Sequence, residues 1–134
     1  MAKIETGMDL NRLEAAIRNS WCKETSSTPE WSPQNPARGQ CAVTACVFQD
    51  YVGGEVVWFK AKLPDNTEES HYFNRVNGTE YDLTRLQFPV GTVLGQGAER
   101  MPGITTRGHA LSHEPTRERY ETLRYRVARL LEED

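Results

Sequence analysis

The sequence predicts an α+β fold in which one apolar helix packs on a small antiparallel sheet, with further helices at both ends of the chain. Three observations point there. Residues 38–53, Arg38-Gly39-Gln40-Cys41-Ala42-Val43-Thr44-Ala45-Cys46-Val47-Phe48-Gln49-Asp50-Tyr51-Val52-Gly53, form the longest apolar run of a polar chain and stop at a glycine pair. The stretch from 55 to 84 switches to a period of two around Asn77-Gly78, the strongest short hairpin signal. Residues 8–21 and the stretch beyond Pro115 place apolar residues at three- and four-residue steps.

The first helix, 8–21, has Leu10, Leu13, Ala16, Ile17 and Trp21 on one face and Asp9, Arg12, Glu14 and Arg18 on the other. Residues 22–40 carry Pro29, Pro33 and Pro36 among serines and threonines, so they form a long loop, pinned by Trp21 and Trp31. The apolar helix follows directly. Its strand partners are 55–63, 69–76 and 79–84, joined by the turn Pro64-Asp65-Asn66 and by Asn77-Gly78. Residues 89–113 have no clear period and read as a loop with room for a short helix. The last helix has an apolar stripe of Tyr120, Leu123, Val127, Leu130 and Leu131. Its five arginines, Arg117, Arg119, Arg124, Arg126 and Arg129, read as a solvated, salt-bridged face.

Composition narrows the function classes. The 134 residues fit a single domain, 1–134, and the net charge of −3 does not suggest a nucleic-acid surface. No apolar run approaches the roughly 18 residues of a membrane span. Cys22, Cys41 and Cys46 are too few, and wrongly spaced, for a disulfide scaffold or a C-x-x-C pair. The expected setting is therefore cytoplasmic, with no nucleic acid or membrane as partner.

Cys41 opens the apolar helix, where free N–H groups and the positive end of the dipole favour an anion. Thiols in such places are nucleophile candidates. A thiol nucleophile needs a base, and the base needs a group to orient it. In the hairpin register set by Asn77-Gly78, paired residue numbers sum to about 155. His71 then faces position 84, which makes Asp82 its diagonal neighbour on the same face. Candidate catalytic residues are thus Cys41, His71 and Asp82. The competing reading makes Cys41 a core residue, His71 a satisfied polar residue and Asp82 a turn or helix-cap residue. His109 and His113 stand four apart but lack further ligands, so no metal or cofactor is assigned.

Several segments also resemble known families. Gly39-Gln40-Cys41-Ala42 looks like the segment that opens the nucleophile helix of transglutaminase-like proteins. Ser70-His71-Tyr72-Phe73-Asn74 resembles their His-x-Trp-Asn strand, with Phe73 in place of Trp, and Tyr81-Asp82-Leu83-Thr84 resembles their Asp-x-Thr strand. Closer still, the pieces Glu24-Thr25, Trp31 to Cys41, Gln49 to Glu55, His71 to Asn74, Gly78 to Phe88 and Arg119-Tyr120 resemble the YunG family of small bacterial proteins. The resemblance implies a papain-like or transglutaminase-like core. Cys41 would be the nucleophile, His71 the base, Asp82 its orienter and the Cys41 N–H one oxyanion donor. For the second donor, Asn35, Gln34, Gln40 and Trp31 are rivals, and Asn74 joins the substrate-binding candidates. The implied chemistry is acyl transfer through a thioester on an amide, ester or thioester of a small molecule, peptide or carrier-bound acyl group. The alternatives are a catalytically silent binding module on the same fold, or isomerase or cyclase chemistry on the same residues.

Overall fold

A computed structural model describes residues 9–133. Its helices are α1 (Leu10–Ser20), α2 (Cys41–Val52), α3 (Thr106–Leu111) and α4 (Glu114–Glu133), and its strands are β1 (Glu55–Lys62), β2 (Glu68–Val76) and β3 (Thr79–Tyr81). The protein is α+β, with these four helices set around one small antiparallel sheet of order β1-β2-β3.

Asp9 caps α1 by accepting from the Arg12 N–H at 2.7 Å. Leu13, Ile17, Val47, Phe48, Leu123 and Val127 are almost fully buried and join α1, α2 and α4 in one core. That explains the pattern of α2. It has no polar face because it is covered on one side by helices and on the other by the sheet. The Asn74 side chain donates to the Ala45 carbonyl at 2.9 Å and locks β2 to α2.

The far end of α2 is clipped to the C-terminal helices. Arg107 faces Asp50 at 3.0 Å and donates to the Cys46 carbonyl, and the Tyr120 hydroxyl donates to Asp50 at 2.6 Å. Burial pushes the Tyr120 phenol up to about 12, helped by Asp50. The arginines of α4 are mostly tied locally. Arg117 and Arg124 pair with Glu114 and Glu121, and Arg126 donates to the Ser20 carbonyl.

The Asn77-Gly78 hairpin has the predicted register: Asn74 faces Tyr81 and Val76 faces Thr79. Both turn residues have positive φ, 52° and 83°, as a two-residue type I′ turn demands. One expectation needs correction. The third strand ends at Tyr81 rather than running to 84, because the chain turns through Asp82 into a short 3₁₀ helix at Arg85–Gln87. The segment after it runs along the open edge of β1. Ala98 exchanges backbone hydrogen bonds with Trp58, and Val93 does so with Lys62. The loop expected at 89–113 thus covers a sheet edge before it forms α3.

Candidate active site

Cys41 is the first residue of α2, and the loop before it sets its position. Gly39 has a φ of +75°, and a Cβ there would come within 2.4 Å of Ser26 Oγ and 2.9 Å of the Ser27 backbone nitrogen. Only glycine fits this close approach. The Gly39 carbonyl accepts from the Ser27 N–H, and its own N–H donates to Gln87 Oε1 at 3.2 Å. Cys41 is half-buried and packs, with Ala42 and Trp58, against Ala45, Val56, Tyr72 and Ala110.

His71 lies in the middle of β2 and is completely buried. Its ring sits among Phe59, Phe73 and Phe88, with centroids 5.4, 5.8 and 5.0 Å away. Three aromatic neighbours leave the imidazole little freedom to rotate. Nε2 meets Asp82 Oδ2 at 2.7 Å. The remaining nitrogen, Nδ1, is buried and makes no aligned hydrogen bond among the described residues. Burial opposes charge on the imidazole. The Asp82 hydrogen bond, together with the Cys41 thiol, outweighs it and raises the His71 pKa from its usual 6.5 to about 9. Cys41 is therefore near enough to act on His71, although Nδ1 and the thiol are not aligned as a hydrogen-bonded pair.

The other residues singled out from the sequence take varied positions. The Trp31 indole donates to the Pro36 carbonyl at 2.9 Å, which pins the loop and occupies that N–H. The Gln40 side chain is buried and donates to the Cys22 carbonyl at 3.0 Å. Asn35 reaches the Gln87 carbonyl at 3.5 Å, and Gln34 is exposed. The Asn74 amide is spent on Ala45. Cys46 is fully buried, and burial pushes its thiol up to about 12, so it is an inert core residue.

Two features were missed from the sequence. The Trp58 indole Nε1 is a buried donor without a partner among the described residues, on a side chain packed against the same cluster as Cys41. Arg100 lies over the Trp58 and Tyr72 rings, 5.1 and 5.7 Å from their centroids. Trp58 was readable only as a strand aromatic, and Arg100 came from a segment with no pattern. A hollow of about 350 Å³ opens here, between Ala42, Tyr72, Arg100 and α3. Another, of about 340 Å³, lies at the far end of α2 near Gln49, Arg75 and Arg107 and holds none of Cys41, His71 and Asp82.

The sequence profile of the family described as "YunG protein" matches residues 9–132. The chain belongs to the YunG family. It is 37% identical over 79 residues to the protein named "Uncharacterized protein YunG" of Bacillus subtilis (strain 168). That alignment takes in 59% of this chain and 63% of the relative, so the chain spans less than two thirds of the relative's length. No solved structure matches. Among the described residues, no helix is long and apolar enough to cross a membrane.

Proposed function

We propose that this YunG protein is an acyl-transfer enzyme that works through a thioester on Cys41, on a papain-like or transglutaminase-like core. One observation carries the reading. A buried histidine gives one nitrogen to a carboxylate at 2.7 Å and leaves the other unpaired beside a half-buried thiol at a helix N-terminus. A purely structural histidine in an aromatic pocket would pair both nitrogens or shed its charge.

In this mechanism the Cys41 sulfur attacks the carbonyl carbon of an amide, ester or thioester. The oxyanion is held by the Cys41 backbone N–H, a free donor at the start of α2, and by the Trp58 indole N–H. His71 carries the thiol proton and delivers it to the leaving group, while Asp82 fixes the ring through Nε2. Water or an amine then attacks the thioester, and His71 takes its proton. The acyl group comes from a small molecule, a peptide or a carrier. Three free cysteines support a reducing, cytoplasmic setting.

The test is alkylation of Cys41 by iodoacetamide, followed at that site by mass spectrometry in the parent and in His71→Ala. The expected result is a rate at Cys41 well above that at Cys22, falling roughly tenfold or more in His71→Ala with Cys22 unchanged. A Cys41 that is inert, or that reacts independently of His71, would overturn the covalent mechanism and favour a silent binding module.

A further inference from the structure

Arg100, His109 and His113 have no part in the chemistry above, yet the fold brings them together. They line the hollow of about 350 Å³ that runs from Ala42 and Tyr72 to the end of α3. Its inner end is at Ala42, one residue beyond the proposed nucleophile. Ala42 follows Cys41 in the chain, and both pack with Tyr72 in one cluster.

Arg100 is held ready rather than neutralised. Its guanidinium donates to the Tyr72 hydroxyl and stacks over Trp58, and its backbone N–H donates to Thr106 Oγ1 at 3.1 Å. Among the described residues it faces no carboxylate. Arg38, Arg75 and Arg107, by contrast, each face at least one. Among the described residues, no acidic side chain lines the hollow. The nearby Glu114 is turned to Arg117 at 3.3 Å, and Glu99 lines the other hollow. The rest of the wall offers hydrogen-bonding groups: His109, Ser112 and His113, the last positioned by Thr116 at 2.9 Å. An unpaired guanidinium in a pocket without acids is suited to receive an anion. One permanent charge matches a monoanion better than a phosphate dianion.

We propose that this hollow is a carboxylate-binding subsite, so that the molecule whose acyl group reaches Cys41 carries a carboxylate held by Arg100 with His109 and His113 at its rim. This assignment rests on the acyl-transfer reading for its link to Cys41, but the binding itself can be measured apart from it.

Iodoacetate, which is anionic, is compared with neutral iodoacetamide at Cys41 and at Cys22, in the parent and in Arg100→Gln. The expected iodoacetate-to-iodoacetamide rate ratio at Cys41 exceeds that at Cys22 by roughly tenfold, saturates, and is competed by sodium propionate. Arg100→Gln brings it down to the Cys22 value with the iodoacetamide rate kept. Arg100→Lys, which keeps the charge but not the planar fork, retains part of the preference. Equal ratios at the two cysteines in the parent overturn the subsite. Should Cys41 be inert to both reagents, the acyl-transfer reading fails. The hollow is then tested alone by NMR titration of Cys41→Ser protein with propionate and with inorganic phosphate. Propionate-induced shifts at His109 and His113 that vanish in Arg100→Gln uphold the site. Absence of shifts, or tighter binding of phosphate, overturns it.

Discussion

His71 Nε2 and Asp82 Oδ2 stand 2.7 Å apart, and the contact turns on where β3 ends. The hairpin register makes the two residues diagonal neighbours, too far apart for a short side chain on a flat ladder. Because β3 stops at Tyr81, Asp82 is free of the ladder and its carboxylate can reach the ring. The early strand end is thus what converts proximity into a hydrogen bond. The same contact fixes which nitrogen is left for Cys41.

The charge on His71 depends on that contact. Burial alone would lower its pKa, and Asp82 is the first-ranked influence working the other way. Replacing Asp82 by Asn removes the charge and keeps the size. The His71 pKa, followed through its ring-proton NMR shift, should fall from about 9 toward or below the usual 6.5. A value that stays near 9 would place the source of the shift elsewhere.

The raised pKa also predicts the pH dependence of stability. Folded His71 keeps its proton up to about 9, whereas in the unfolded chain it titrates near 6.5. Its contribution is fully present below pH 6.5 and is lost as pH rises through 9. Between those limits the unfolding free energy should fall by up to about 1.4 kcal/mol per pH unit, and the slope should flatten in His71→Gln. Urea titrations across this window measure it. Cys46 adds a fall of the same sign only toward the upper end of the window, where the unfolded thiol titrates at about 8.5 while burial keeps the folded one protonated, so the His71 part is the slope that His71→Gln removes. Tyr120 titrates above the window in either state.

Much of this arrangement was legible in the sequence because it rests on local rules. The Asn77-Gly78 turn fixed the register, and the register put His71 and Asp82 together. The apolar run with a glycine stop marked α2 and placed Cys41 at its start. What was not legible depends on contacts across the chain. The Asn74 and Gln40 amides looked available for substrate, but nothing local indicates that they are spent on Ala45 and Cys22. Trp58 and Arg100 meet only because residues 93–98 fold back along β1. That long-range pairing leaves no periodic trace.

Two glycines with similar φ should respond very differently to alanine. Gly78, at +83°, has nothing within 4 Å of where a Cβ would lie, so Gly78→Ala should cost only the left-handed penalty of about 1–2 kcal/mol. Gly39 adds a collision with the Ser27 backbone, which cannot move without breaking the Ser27–Gly39 hydrogen bond. Gly39→Ala should therefore cost clearly more, about 3 kcal/mol or above, and displace Cys41. Thermal melts compare the two directly.

Tyr120 offers a control away from the site. Its hydroxyl bridges Asp50 and Arg107, but those two also meet each other at 3.0 Å. Tyr120→Phe should cost about 1–2 kcal/mol and leave the alkylation of Cys41 unaltered. A large change in Cys41 reactivity would mean that the clip at the far end of α2 governs its N-terminus.

Trp58 supplies the sharpest separation of stability from chemistry. Its indole N–H is buried without an acceptor, an arrangement that costs free energy in the resting protein. Trp58→Phe removes the donor and keeps a ring against Tyr72 and Arg100. Folding stability should therefore hold or rise. Alkylation by iodoacetamide passes through no oxyanion, so its rate at Cys41 should be unchanged. Acylation by an activated ester such as a p-nitrophenyl ester does pass through one, and should slow by about 10²–10³, the usual cost of one lost oxyanion donor. If both reactions slow together, Trp58 serves only to position Cys41. If neither slows, the second donor is another group, and Gln87, whose buried Nε2 is also unpartnered beside Gly39, is next to be tested.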